Sequence, residues 1–467
     1  MNDRRRDLVV AVLALAGAVF AVLQAAVVPA LPDIDRALRA GPSSGTWILT
    51  VNLLATAVLT PVLGRMGDIH GKDRMLRVVV TALGLGTLAC ALAPSLPVML
   101  AGRVAQGAGG AVFPLAFGVL RDELEGERVA GAIGLVSSLL GIGAGLGLVT
   151  AGPVIAVLSW RWLFWLPLAV LLPVGAAVAR WVPASPARTP AAVDLASTAL
   201  MVAGLSALLV AVSEASVWGL GSGRTLGLLG AGALLVAAWV RHELASGDPL
   251  VDMRMMARRG VWTTNLAAFL VGVGMYASIA LVPALVELPR ATGVGFGGSV
   301  TAAGLFMLPT AAPQLIVGPL TGRIARRIGS RVQLLVGVAL MLGAYLALTL
   351  AHRHAWQLVV ATGALGLGLG FGLAALANLI VVAVGPRQTG VATAMNTVMR
   401  TLGGAFGASI AAQCLARGGS LDGDFALAFA VCAGALTLGL GAVLAIPGKG
   451  LRIDLHVSRD RRALSQG

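Results

Sequence analysis

Charge is what this 467-residue chain has least of: 12% of it is Asp, Glu, Lys or Arg, about half the share in an average soluble domain. With so few charges and 58% hydrophobic residues, it cannot face water on all sides. That excludes a secreted protein, a cytosolic enzyme and a single-anchor receptor. Cysteine is nearly missing. Cys90, Cys414 and Cys432 lie in or beside apolar runs at no metal-ligand spacing and read as packing residues. The five histidines form no cluster with carboxylates, so no metal site is expected. A phosphate-cradling G-x-x-x-x-G-K-[ST] loop is missing too, which argues against ATP-driven work. No catalytic residue and no cofactor are expected.

What is present is apolar sequence in long runs. Fourteen spans can be marked, at about 8–30, 46–64, 76–94, 97–119, 131–157, 162–182, 195–214, 225–240, 262–286, 299–320, 332–351, 356–384, 391–414 and 424–446. Each is near the roughly 20 residues that a helix needs to cross a bilayer. Backbone groups in hydrocarbon must be satisfied within the segment, so the spans are expected to be helices in an all-α integral membrane fold. The run after Arg4, Arg5 and Arg6 continues uncharged from Leu8 to Pro32, too long for a signal peptide's core, and reads as an uncleaved first helix.

The net charge of +14 suggests nucleic acid until its distribution is mapped. With an even number of spans, both termini share one side. Placing that side in the cytoplasm puts 25 of the 34 Lys and Arg in inward segments and seven outward, with Arg103 and Arg400 left inside spans. This is the positive-inside bias, so the basicity reports topology and no nucleic-acid partner is expected. The tryptophans fall at or near span ends, as an interfacial belt requires. The expected setting is a bacterial plasma (inner) membrane, with both termini cytoplasmic; abundant Ala, Gly and Arg with almost no Lys suggests a GC-rich genome.

One motif occurs twice. Pro61-Val62-Leu63-Gly64-Arg65-Met66, with Gly71 after it, returns as Pro319-Leu320-Thr321-Gly322-Arg323-Ile324 with Gly329. Internal repeats of this kind build secondary transporters, with the site at mid-depth between the repeats. A six-helix repeat needs about 200 residues at this density, and the excess falls on two central spans. The expected parse is therefore six plus two plus six. An N-terminal half occupies 1–182, a two-helix insertion with its flanking loops 183–261, a C-terminal half 262–446 and a cytoplasmic tail 447–467.

These residues resemble a known family. Gly64 to Arg74 looks like the loop motif of the major facilitator superfamily, and Gly102-Arg103-Val104-Ala105-Gln106-Gly107 through Gly110 is similar to its fourth-helix motif. Gly141 to Pro153 resembles the fifth-helix motif of exporters, without the paired glycines after the proline. Asp248-Pro249-Leu250-Val251-Asp252, and Asn396 to Arg400 before Gly403-Gly404, look like the fourteen-helix drug:proton antiporters of the EmrB/QacA-like type. The resemblance runs from about Val9 to Ala445. It implies alternating access by rocking of two halves, with Gly64, Arg65, Asp68, Gly71, Lys72 and Arg74 as a conformational latch and Arg103 linked to proton coupling. Asp68 is expected at a helix start, accepting from backbone N–H groups or pairing with an arginine across the bundle. Gly141, Gly145, Gly152 and Pro153 are expected to serve close helix packing.

Arg103 and Arg400 each cost about 2.5–3.5 kcal/mol to bury on insertion scales, which marks them as functional candidates. No carboxylate is expected at mid-depth: Asp33, Glu214 and Glu287 lie near outward span ends and are the remaining proton-coupling candidates. Where the fourteen-helix family often has an aspartate in its first helix, this chain has Leu23 and Gln24. A dication would find no buried counter-charge, whereas the arginines favour a neutral or anionic ligand. Polar residues in apolar spans, namely Gln24, Asn52, Gln106, Asn265, Gln314, Asn378, Asn396 and Arg400, are pathway candidates or interhelical glue. The expected function is proton-gradient-driven export of an amphipathic neutral or anionic small molecule such as an antibiotic. Its partners are that substrate, protons and the lipid bilayer, with no obligate protein partner evident. A nutrient or osmolyte importer and a non-transporting membrane sensor are the alternatives.

Overall fold

The computed structural model describes residues 3–39, 42–124, 127–185, 193–219, 221–385 and 388–447. Arg188, Arg387, most of the 183–193 stretch and the expected tail beyond its first residue lie outside the described residues. Among the described residues, all regular secondary structure is helical. The helices are α1 (Asp3–Ala25), α2 (Val27–Leu38), α3 (Pro42–His70), α4 (Lys72–Leu92), α5 (Leu96–Gly107), α6 (Val112–Glu123), α7 (Glu127–Val157) and α8 (Trp162–Trp181). They continue as α9 (Leu195–Trp218), α10 (Gly223–Ala245), α11 (Met253–Met256), α12 (Arg259–Glu287) and α13 (Val300–Ile328). The last four are α14 (Ser330–Leu350), α15 (Ala355–Ala383), α16 (Thr389–Leu415) and α17 (Leu421–Ala445).

Among the described residues, thirteen candidate spans are long and apolar enough to cross a membrane, α5 and α6 together making one. The expected fourteenth, 391–414, falls on α16. At 27 residues this helix is long enough, but Thr393, Asn396, Thr397, Arg400 and Thr401 keep it out of the apolar set. Every residue from Thr389 to Val398 is buried, because α16 packs against α12, α3 and α9. Its polarity goes with an interior position.

Prolines explain two further departures. The first span is broken after Ala25: Pro29 has no N–H for the Ala25 carbonyl and its ring crowds that group, so the chain turns at Ala26 and restarts as α2. Pro114 acts likewise on the Gly110 carbonyl, and the span 97–119 tightens into a 3-10 turn at Ala108–Ala111 between α5 and α6.

The second glycine of the repeat has a conformational cause. Gly71 alone separates α3 from α4 and Gly329 alone separates α13 from α14, at φ of 107° and 80°. A side chain is strained there, so each one-residue turn calls for glycine. The helix ends bearing the repeat cross to opposite partners. Gly64 lies against the Gly390 carbonyl of α16, whereas Gly318 and Thr321 lie against Ser138 and Gly134 of α7.

Buried apolar side chains form three clusters. One joins α1 to α8 and takes in Ala377 and Val381 of α15, a second joins α12 to α17 and takes in Ala25 and Leu148, and a third surrounds α9 to α11 where they meet α3, α12, α15 and α16. The α9–α11 segment is held by a buried carboxylate: Glu243 accepts from the Ser197 hydroxyl, Trp239 Nε1 (2.9 Å) and the Val251 amide (3.3 Å). Asp252 caps α11 and accepts from Gln388 Nε2 just before α16.

Candidate functional site

Where α1, α3, α7, α12, α13 and α16 converge, they enclose a cavity of about 270 Å³. Small residues let this happen. Along α7, Gly141 faces Gln314 and Gly145 faces Ala311 of α13, and Gly152 faces Thr301. Gly143 and Gly147 face carbonyls of α1. Pro153 lies inside α7 on its exposed side. Two glycine faces thus let α7 pack closely against a helix on either side.

The α12–α16 contact is closer still. A Cβ on Gly403 would lie 1.9 Å from the Phe269 carbonyl oxygen, one on Gly407 2.2 Å from that of Val273, and one on Gly272 2.1 Å from that of Arg400. The Gly403-Gly404 pair thus seats α16 on α12, with Gly404 against the Tyr276 ring. This contact sets Arg400 in the cavity wall beside Thr397 and Thr401.

The two intramembrane arginines have different surroundings. Arg103 is 1% exposed. It donates through Nε to the Ile48 carbonyl (3.1 Å) and through Nη1 to the Leu23 carbonyl (3.4 Å) and Gln106 Oε1 (2.7 Å). Asn52 Nδ2 donates to the Arg103 carbonyl (2.9 Å), and Gln106 Nε2 to Thr87 (3.0 Å). Arg400 makes no hydrogen bond or ion pair with any described residue; it stands between the cavity and a smaller void of about 10 Å³ shared with Ser137, Thr393 and Asn396, room for about one water.

Of the pathway candidates, the structure brings Gln24, Gln314 and Arg400 to the main cavity, and Asn396 to the smaller void. The others lie in helix–helix contacts: Asn52 and Gln106 around Arg103, Asn265 accepting from Asn396 (2.9 Å), and Asn378 donating to the Ala130 carbonyl (3.5 Å). None of the acids Asp33, Glu214 and Glu287 lines the cavity. Asp33 pairs with Arg36 one turn along α2, and Glu287 is exposed at the end of α12. Glu214 is 7% exposed, with one carboxylate oxygen lacking a partner among the described residues.

The latch residues lie at the cavity end where α1 begins. Asp68 is near the end of α3, not at a helix start, because α3 runs on to His70. It accepts from the Gly390 (3.2 Å) and Val391 (3.0 Å) amides in the first turn of α16. A carboxylate there meets unpaired N–H groups and the positive end of the helix dipole. Lys72 pairs instead with Asp122 at 2.8 Å, both almost fully enclosed, Arg65 is buried and Arg74 is exposed. Sequence reasoning counted Arg121 only as an inward charge. It donates to the Thr389 hydroxyl (2.8 Å) and the Val384 carbonyl (2.9 Å), closing the same end. It also passed over Tyr276, one of two tyrosines in the chain and a cavity residue. That rarity, in the middle of an apolar span, was the available signal. Asp35 on α2 is partly buried with one oxygen lacking a described partner, and burial raises its carboxyl above the usual range.

A family model described as the Major Facilitator Superfamily matches residues 13–408 and again 264–450. Among curated proteins, the chain is 29% identical over 394 residues to multidrug resistance protein Stp of Mycobacterium tuberculosis, covering 83% of this chain and 72% of that protein. It is 26% identical over 402 residues to multidrug transporter protein MdtP of Bacillus subtilis, covering 85% and 73%. Two solved structures share the fold. The human organic anion transporter MFSD10 has a TM-score of 0.67 at 17% identity, covering 95% of this chain and all of that one. The proton:xylose symporter XylE, bound to 6-bromo-6-deoxy-D-glucose, has a TM-score of 0.68 at 13% identity, covering 96% and 97%.

Proposed function

The chain belongs to the major facilitator superfamily, a multi-pass membrane transporter and not an enzyme, and from that premise we propose that it is a proton-coupled exporter. It moves amphipathic neutral or anionic small molecules across a bacterial plasma membrane by alternating access. We assign it to the fourteen-helix drug:proton type, with α16 as the fourteenth crossing and a six-plus-two-plus-six order. The three apolar clusters and the short joins between helices support that order. The multidrug names of its relatives support export.

The observation that carries the reading is the central cavity, lined by residues of both repeats and closed at one end by Asp68 and Arg121. With both termini in the cytoplasm, that closed end faces inward. Loading then requires these contacts to part, and release requires them to re-form. The proton-coupling candidates stay Arg103, Asp33, Glu214 and Glu287, and Glu214 is the one to test first because it is buried with a carboxylate oxygen lacking a partner among the described residues.

Proteoliposomes carrying a pH dye test this with a panel of cationic, neutral and anionic antibiotics. Neutral or anionic compounds are expected to drive proton movement. Glu214→Gln should abolish that movement while substrate-for-substrate exchange continues. Movement with dications alone would overturn the charge argument, and silence across the panel would overturn export.

A further inference from the structure

Arg400 differs from every hydrogen-bonded group around it. Five N–H donors on a rigid fork face the cavity with no described partner, whereas the Arg103 guanidinium is engaged by two carbonyls and a glutamine. Among the described residues, no acid lines the cavity wall. A lone guanidinium in a mostly apolar enclosure is best satisfied by an anion that brings its own hydrocarbon.

The rest of the wall sets the shape of that anion. Phe20 and Phe113 meet edge to face with centroids 6.4 Å apart, and Met275 and Met307 complete an apolar surface. Such a surface suits a flat ring system. Thr56 and Gln314 line the same wall, and each has a buried side-chain oxygen without a described partner. One guanidinium pairs bidentately with one carboxylate or sulfonate; a second negative charge on the ligand would have no buried cation to meet.

We propose that the cavity recognises flat, aromatic monoanions, with Arg400 holding the acid group and the Phe20–Phe113 surface holding the rings. Arg103 positions α1, α3 and α5 and does not touch the ligand. The assignment rests on the transport reading only for its biological use; binding stands by itself.

Three probes of one shape separate charge from fit: 2-naphthoate, 2-naphthamide and 2-naphthylmethylammonium. Binding to the full chain in lipid nanodiscs is measured by calorimetry. The naphthoate is expected to bind at least about tenfold more tightly than the amide, as hydrogen bonds to a charged group imply, with the ammonium weakest. Arg400→Gln should bring naphthoate and amide within about twofold of each other, and Arg400→Lys should keep much of the preference. Amide binding that matches the parent protein reports that each variant is folded. Equal affinity for naphthoate and amide in the parent protein, or a preference that survives Arg400→Gln, overturns the assignment. Naphthoate binding that depends on Arg400, without naphthoate counterflow in proteoliposomes, upholds the site and overturns the transport reading.

Discussion

Arg103 and Arg400 carry the same charge, yet their neighbours give them different work. The three acceptors of Arg103 come from α1, α3 and α5, so removing its guanidinium leaves enclosed oxygens unpaired, at about 1–3 kcal/mol for each group. Lysine does not replace it, because one ammonium cannot span a fork of directions. Arg103→Lys is therefore expected to lower the detergent melting temperature almost as far as Arg103→Ala. A near-parent melt for the lysine variant would show that charge alone matters there. The depth of both arginines was legible from the sequence, since a charge in an apolar run stands out. Their pairing was not: the Ile48 and Leu23 carbonyls are backbone groups on other helices, and no residue type announces them.

At the level of helices, glycine decides who touches whom. Gly403, Gly407 and Gly272 bring α12 and α16 into backbone contact, and Arg400 is aimed by that contact. Gly434 on α17 has open space where a Cβ would be. Gly403→Ala is expected to destabilise by about 1–3 kcal/mol, since its neighbour is backbone and cannot rotate away. Gly434→Ala should be neutral or slightly stabilising. Paired thermal melts check both, and equal losses would remove the argument. Helix existence was legible from apolar length in nearly every case. Helix breaks at Ala26 and Ala108–Ala111 were also written there, as Pro29 and Pro114, but an apolar-run count passes over them. The polarity of α16 likewise makes sense only once its neighbours are known.

For the whole molecule, the closed end is a set of breakable contacts between the two repeats. Asp68 joins the first repeat's helix end to the start of α16, while Arg326 occupies the matching position of the second copy. The acid clasp thus belongs to one crossing alone. Asp68→Asn should weaken it by about 1.5–3 kcal/mol and shift the population at least about tenfold toward the state open at that end. Spin labels at His70 and Gly385, both at the surface there, should report a longer distance. An unchanged distance distribution would mean that Arg121 and the glycine packing hold the end without it. The sequence showed the repeat and its glycines. It could not show that Asp68 reaches a residue more than 300 positions away, which only the folded bundle brings near.

The uncompensated guanidinium of Arg400 also bears on insulation. A carrier that opens a cavity to either side of a charged membrane risks passing small inorganic cations with each turn. A sodium or hydronium ion about 8 Å from a fixed positive charge is repelled by roughly 2 kcal/mol at an effective dielectric of about 20, which thins its occupancy about thirtyfold. Among the described residues the cavity wall carries no carboxylate to offset that repulsion. Vesicles bearing the protein without cargo should therefore hold a sodium gradient as long as empty vesicles do, and Arg400→Glu should drain it.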